Sequence, residues 1–223
     1  MKISLKFVPF AAIFILAIAA CHKNSSGPTA GYGPNSLFPT TNGDTWYYQD
    51  SVFNDSALII GYPDTMVATN HEYQDQSGTI YLEMNNPNGW FVGSYIAVDP
   101  TNYAVYEVDS PAFSPYTMFA TVTADGPIGP TSTDYSNPAC PINYTQYGYA
   151  NPINLDGYSC YLNSEIVQST CTGNIVLEQT NFYLSPGVGV VRIEDYLTDT
   201  TGGLNKYYED YSETLTSEVL KPD

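Results

Sequence analysis

Three thiols beyond the N-terminal segment, one imidazole in the second quarter of the chain and a surplus of carboxylates are what this 223-residue sequence offers to chemistry. Cys160 and Cys171 flank a hairpin-sized segment, so their pairing is the default expectation. A loop of that size contributes up to about 3 kcal/mol in the chain-entropy model. A bridge from Cys140 to either one would instead pin the proline-rich stretch around it. Spacing does not choose between them, and one thiol is left over. No C-x-x-C pair and no nearby histidine accompany these cysteines, so zinc-type coordination is not expected. His71, in Asn70-His71-Glu72-Tyr73, has no second histidine at ligand spacing and no Gly-x-Ser-x-Gly elbow to serve. Paired carboxylates can hydrolyse glycosides, but 23 acidic residues offer too many pairs for the pattern to discriminate. Calcium meets the same objection, and no Asp-x-Asp-x-Asp-Gly loop occurs. No metal, no cofactor and no enzymatic activity are therefore expected. Trp46, Tyr48, Trp90 and Phe91 complete the candidates, either as sheet-packing residues or as the lining for an apolar or stacked ligand.

The N-terminus is a separate unit. Lys2 and Lys6 precede an apolar run from Phe7 to Ile18, and Ala19-Ala20 leads into Cys21. The run is shorter than the roughly 20 residues a helix needs to cross about 30 Å of hydrocarbon, which fits a removed signal better than a permanent span. Ile18-Ala19-Ala20-Cys21 resembles the lipobox of bacterial lipoprotein precursors. That resemblance implies that residues 1–20 are a signal peptide and that Cys21 becomes the lipidated first residue, joined to the membrane by three acyl chains. One chain alone binds only marginally. The alternative is an ordinary secretory signal, with Cys21 free to enter a disulfide. His22 rather than Asp follows the cysteine, which by the sorting habit of Gram-negative lipoproteins implies the outer membrane. The run His22-Lys23-Asn24-Ser25-Ser26 lacks the acidic cluster that marks some Bacteroidota lipoproteins for the cell surface, which favours the periplasmic face.

With residues 1–20 removed, Lys23, Arg192, Lys206 and Lys221 face 23 acidic residues, a net charge of about −19. Nucleic acid is excluded as a partner, because phosphate neutralisation needs a basic face. Anionic lipid headgroups would also repel such a domain, leaving lipid on Cys21 as the route to a membrane. Tyr occurs 21 times, and Thr, Asn, Ser and Gly are plentiful where Ala, Leu, Lys and Arg are thin. That is a composition of strands and turns.

Residues 21–36 read as a flexible tether, with a typical end-to-end distance of roughly 20 Å. Residues 37–223 read as one β domain. Thr79 to Asn85 alternates Ile80, Leu82 and Met84 against Tyr81, Glu83 and Asn85, the period of a half-buried strand. Trp90 to Val98, Tyr103 to Asp109 and Tyr116 to Ala124 follow across short turns, with Ala104, Tyr106 and Val108 as the expected inner set. An antiparallel meander results. Prolines at 127, 130, 138, 141 and 152 make 125–156 a proline-rich loop that cannot occupy central strands. Tyr158 to Gln168, Gly173 to Leu184 and Val188 to Leu197 resume as strands, and 204–220 carries both helical and strand spacing. Its Thr content favours a closing strand.

Two short motifs carry a family resemblance. Phe38-Pro39-Thr40-Thr41-Asn42-Gly43-Asp44-Thr45-Trp46-Tyr47-Tyr48 and Ser185-Pro186-Gly187-Val188-Gly189-Val190-Val191-Arg192-Ile193-Glu194 resemble elements of small outer-membrane lipoproteins of Bacteroidota. Read as physics, Asn42-Gly43 makes the turn that launches a strand, and Gly187 and Gly189 permit positive φ or close backbone approach. The resemblance points towards the concave half-barrels of lipoprotein carriers, whose cavity holds acyl chains. The expectation is thus a mainly β chain, a single antiparallel curved sheet or incomplete barrel with little helix. It would act in the envelope as a non-catalytic binding or structural module for an apolar small molecule, a surface glycan or an envelope protein. A hydrolase is the third reading.

Overall fold

The computed structural model describes residues 36–39, 41–54, 57–86, 94–99, 104–108, 116–171, 175–199 and 206–221. These residues form β1 (Thr45–Asn54), β2 (Ala57–Gln74), β3 (Ile80–Asn85), β4 (Tyr95–Val98), β5 (Val105–Val108), β6 (Tyr116–Phe119), β7 (Gly126–Pro127) and β8 (Ser132–Asp134). The second half adds β9 (Ile142–Gly148), β10 (Ile153–Leu155), β11 (Tyr158–Ser169), β12 (Ile175–Ser185), β13 (Gly189–Asp199) and β14 (Lys206–Val219). No helix occurs among the described residues, and so none is long and apolar enough to cross a membrane.

The strands make one antiparallel sheet in the order β6-β5-β4-β3-β2-β1-β14-β13-β12-β11-β9-β7, with β8 on β9 and β10 on β11. The first wing, and the second from β14 to β11, are meanders of sequential neighbours, as short turns require; beyond β11 the order skips to β9 and then β7. The wings join where the first and last strands pair, Asp50 opposite Glu213 and Trp46 opposite Glu218. Lys206–Val219, within the stretch of double spacing, is therefore a strand, but a central one. At the open side, Phe119 of β6 packs at a tilt against Phe182 of β12 with centroids 5.0 Å apart, and the Ala120 amide donates to Asn163 Oδ1 at 3.0 Å. One wing thus curls over the other without closing a ladder, which is the incomplete barrel the sequence implied.

The inner face carries the main core of Leu37, Phe38, Trp46, Met66, Met84, Phe182, Leu184 and Ile193, each essentially inaccessible. On the first wing the other face is also covered: Tyr81, Ala97 and Val108 pack beneath Tyr73, Tyr95 and Tyr106. This second cluster changes the expected face of β5. Val105 enters the main core, whereas Tyr106 and Val108 belong to the opposite face. Strict alternation cannot say which of two buried faces is the larger one.

Segment 125–156 is more ordered than a loop. β9 lies inside it and pairs with β11 from Ser169 to Asn163. The proline rule still holds, since Pro130, Pro138, Pro141 and Pro152 all fall between strands and Pro127 lies in the two-residue end strand β7.

The disulfide also departs from expectation. Cys140 is joined to Cys171, with Cα atoms 4.9 Å apart, and Cys160 is a free, buried thiol. The pairing of Cys160 with Cys171 fails because both belong to β11 and its immediate end. Cys160 sits near the start, opposite Ile153, and Cys171 lies two residues past the end at Ser169. At about 3.3 Å per residue an extended strand carries them far beyond the roughly 4–7 Å that a disulfide spans. Ile142 of β9 pairs with Ser169, which brings Cys140 beside Cys171. Such a bridge typically contributes about 2–4 kcal/mol. Burial, with Asp156 adding to it, pushes the Cys160 thiol up to about 11, so little reactive thiolate forms there.

Candidate functional site

The inward positions of the three central strands change character along their length. On β1, Trp46 and Tyr48 are followed by Asp50. On β2, Met66 and Ala68 are preceded by Asp64, and on β14 Leu215 is preceded by Glu213. All of these side chains are buried. Because side chains alternate across a strand, each acid shares the face of the apolar residues two positions away. Register then assembles them: Asp50 stands opposite Glu213, and Asp64 stands opposite Tyr48, diagonal to Asp50. One oxygen from each of the three carboxyl groups lies within 4.8 Å of the other two.

Few donors serve this cluster. Glu213 accepts from Asn86 Nδ2 at 3.2 Å and from the Tyr211 hydroxyl at 3.3 Å. Asp50 is 0% exposed, yet neither of its carboxylate oxygens has a hydrogen-bond donor. The Tyr211 hydroxyl also acts on Asp50, but it has one proton to share between Asp50 and Glu213. Burial first, then Asp50 and Asp64, push Glu213 from 4.5 up to about 8 against the pull of Asn86 and Tyr211. Burial likewise lifts Asp50 from 3.8 to about 6, with Tyr211 opposing and Asp64 reinforcing the rise. Tyr48 and Tyr211 are held well above the usual phenol range, by burial and then by Glu213. On the neighbouring strand, Asp195 accepts from Thr180 Oγ1 at 3.1 Å and rises to about 6 through burial and Glu178. The interior is therefore apolar at one end and strongly acidic at the other. A cluster this enclosed can hold protons or a small cation; it leaves no room for a sugar ring beside the carboxylates.

The residues singled out from sequence fall elsewhere. Trp46 is completely buried and donates from Nε1 to the Val188 carbonyl at 2.6 Å, while Tyr48 donates to the Val190 carbonyl at 3.0 Å. Phe38 packs on Trp46 at 5.6 Å, and the Gly187 amide donates to the Ser36 carbonyl at 2.8 Å. The two sequence motifs thus form one packing unit. Gly189 has φ +100°, and a Cβ there would lie 3.3 Å from Trp46 Nε1. Trp46 and Tyr48 are packing residues of the core rather than the lining of a ligand cavity. Trp90, Phe91 and Cys21 lie outside the described residues. His71 is exposed on β2, its Nδ1 2.7 Å from Glu83 Oε2. Contiguous metal-loop patterns miss the acidic cluster because its members come from three strands. The usable signal is an acid at inward parity, as in Trp46-x-Tyr48-x-Asp50.

A second feature lies where the wings approach. A cleft of about 410 Å³ is lined by Thr117 of β6, Pro130, Ser132 of β8, Tyr144 and Gln146 of β9, and Glu165 of β11. Gln146 Nε2 donates to Glu165 Oε2 at 2.9 Å, and Gln146 Oε1 is buried without a donor. Tyr144 is 37% exposed.

No protein-family model matches the chain, and no curated protein matches it. Among solved structures it is similar to a candidate exported protein with a YmcC-like fold from Bacteroides fragilis, at 11% identity and a TM-score of 0.41, over 83% of this chain and 100% of that one. It is also similar to a candidate lipoprotein from Parabacteroides distasonis, at 12% identity and a TM-score of 0.35, over 83% of this chain and 99% of that one.

Proposed function

We propose that the chain is a lipid-anchored protein of the bacterial cell envelope, held at the periplasmic face of the outer membrane, with its half-barrel acting as a non-catalytic binding or structural module. The observation that carries this reading is the Ile18-Ala19-Ala20-Cys21 sequence behind a basic and apolar N-terminus. The position of the domain agrees with it, since Ser36, Leu37 and Phe38 are already buried only a tether's length beyond Cys21. Replacing Cys21→Ser should move the protein from the membrane to the soluble envelope fraction. Retention of that variant in washed membranes, or a mature N-terminus elsewhere, would remove the anchor reading.

A carrier of an apolar ligand gains little support from an interior whose motif end is filled by Phe38, Trp46, Met66 and Phe182. The cleft between the wings favours the glycan alternative instead. Tyr144 supplies an exposed ring face, and Gln146, Glu165, Thr117 and Ser132 supply hydrogen-bonding groups around it. Envelope oligosaccharides should bind the protein, and Tyr144→Ala should weaken that binding at least tenfold, as expected for loss of a stacking platform. Equal binding by the variant, measured by calorimetry, would reject this site.

A further inference from the structure

We propose that Asp50, Asp64 and Glu213 form a binding site for one hard divalent cation, calcium in preference to magnesium, that staples the first two strands to the last. The inference is independent of the lipid anchor and of the cleft.

The argument begins with charge. Asp50 and Glu213 are directly opposed on paired strands, an arrangement that is destabilising for like charges even at a surface. Here both are buried, and the groups acting on Glu213 are two further carboxylates, one amide and one phenol. Buried charges are ordinarily paired or bound to metal. Asp50 supplies a second observation: its carboxylate is inaccessible, neither oxygen has a partner at hydrogen-bond distance and angle, the Tyr211 hydroxyl that acts on it is shared with Glu213, and one of its oxygens belongs to the same cluster. A cation there would satisfy both oxygens at once.

The donor set selects the ion. Three carboxylates and no His or Cys make an all-oxygen site, which suits Ca²⁺ or Mg²⁺ over zinc or copper. Ligand oxygens up to 4.8 Å apart can share an ion with metal–oxygen distances of about 2.3–2.6 Å. Magnesium demands near-octahedral geometry at about 2.0–2.1 Å and keeps several waters, which an enclosed set of carboxylates suits less well. Tyr62, opposite Asp50 on β2 and partly exposed, marks the side from which an ion would enter. Binding would couple β2, β1 and β14, the place where the two ends of the chain are joined.

The test uses the full mature chain in detergent, stripped with chelator and desalted. Terbium, a luminescent probe of calcium sites, should be sensitised by Tyr211 beside Glu213, and calcium should displace it at least tenfold more effectively than magnesium. Calcium at a hundredfold excess over Kd should raise Tm by about 5–10 °C. Asp50→Asn should reduce affinity for terbium and calcium at least tenfold, while Glu72→Gln, at an exposed position on β2, should not. If Asp50→Asn fails to melt cooperatively, Glu213→Gln serves in its place. Absence of any terbium signal or calcium-induced shift would overturn the proposal in favour of protonated acids. Binding that survives both substitutions would overturn it in favour of the acidic surface.

Discussion

Replacing Trp46→Ala should cost about 3–5 kcal/mol of folding stability, enough to leave a marginal domain largely unfolded at 37 °C. The ring is wholly buried against Phe38 and the Gly189 backbone, so truncation leaves a cavity. It also leaves the Val188 carbonyl without its indole donor. Trp46→Phe keeps much of the volume and should lose about 1–2 kcal/mol, the share of the hydrogen bond and the smaller ring. Gly189→Ala attacks the same unit from the other side, through a left-handed backbone and a 3.3 Å approach to Trp46 Nε1, and should cost about 1–3 kcal/mol. Because the two changes share one contact, the double variant should be less destabilised than the sum of the single ones. Urea unfolding of all four proteins decides the matter. Strict additivity, or a Trp46→Ala loss below 1 kcal/mol, would mean that the motifs do not form a packing unit in solution.

The two halves of that unit were legible in the sequence because both are local signals, but their contact with each other was not. Asn42-Gly43 announces a turn, Gly187 and Gly189 announce unusual backbone, and all three glycine positions have positive φ. Alternation likewise gave many of the strands, though not the long β2. It could not give the order of the sheet or the pairing of β1 with β14, which depend on how a meander of many strands curls. Most misses were of this long-range kind, whereas β9 was hidden locally, among the prolines of 125–156. Cys171 is near Cys160 in sequence but far along an extended strand, and Cys140 is distant in sequence but adjacent through β9. Val105 and Val108 obey period two on a strand with two buried faces. Asp50, Asp64 and Glu213 look like three of many acids until register places them on one spot. Trp46 and Tyr48 were conspicuous for their chemistry, yet their polar atoms are spent on backbone carbonyls of the other motif.

In chelator, the protein should become less stable as pH rises from about 5 to 8, contrary to the usual gain that carboxylates give on ionising. The sign follows from linkage. Glu213 has its folded value raised from 4.5 to about 8, and Asp50 and Asp195 theirs from 3.8 to about 6. Over these intervals the native state binds more protons than the unfolded chain, so the slope of stability against pH is negative. The stability is fully present below pH 4 as far as these groups are concerned. It declines from about pH 4 through all three groups until Asp50 and Asp195 ionise near pH 6, and then through Glu213 alone until that group is forced to ionise near pH 8. Each tenfold change in proton affinity corresponds to about 1.4 kcal/mol, so Glu213 alone accounts for on the order of 4 kcal/mol across this range. Glu213→Gln, which keeps the shape and an acceptor for Asn86, should therefore melt higher than the parent at pH 8 in chelator and about equally at pH 5. Thermal melts of both proteins across this range provide the check. A parent protein that gains stability from pH 5 to 8, or a Gln variant that is less stable at pH 8, would show that these carboxylates are not buried together as ionisable groups in the native state.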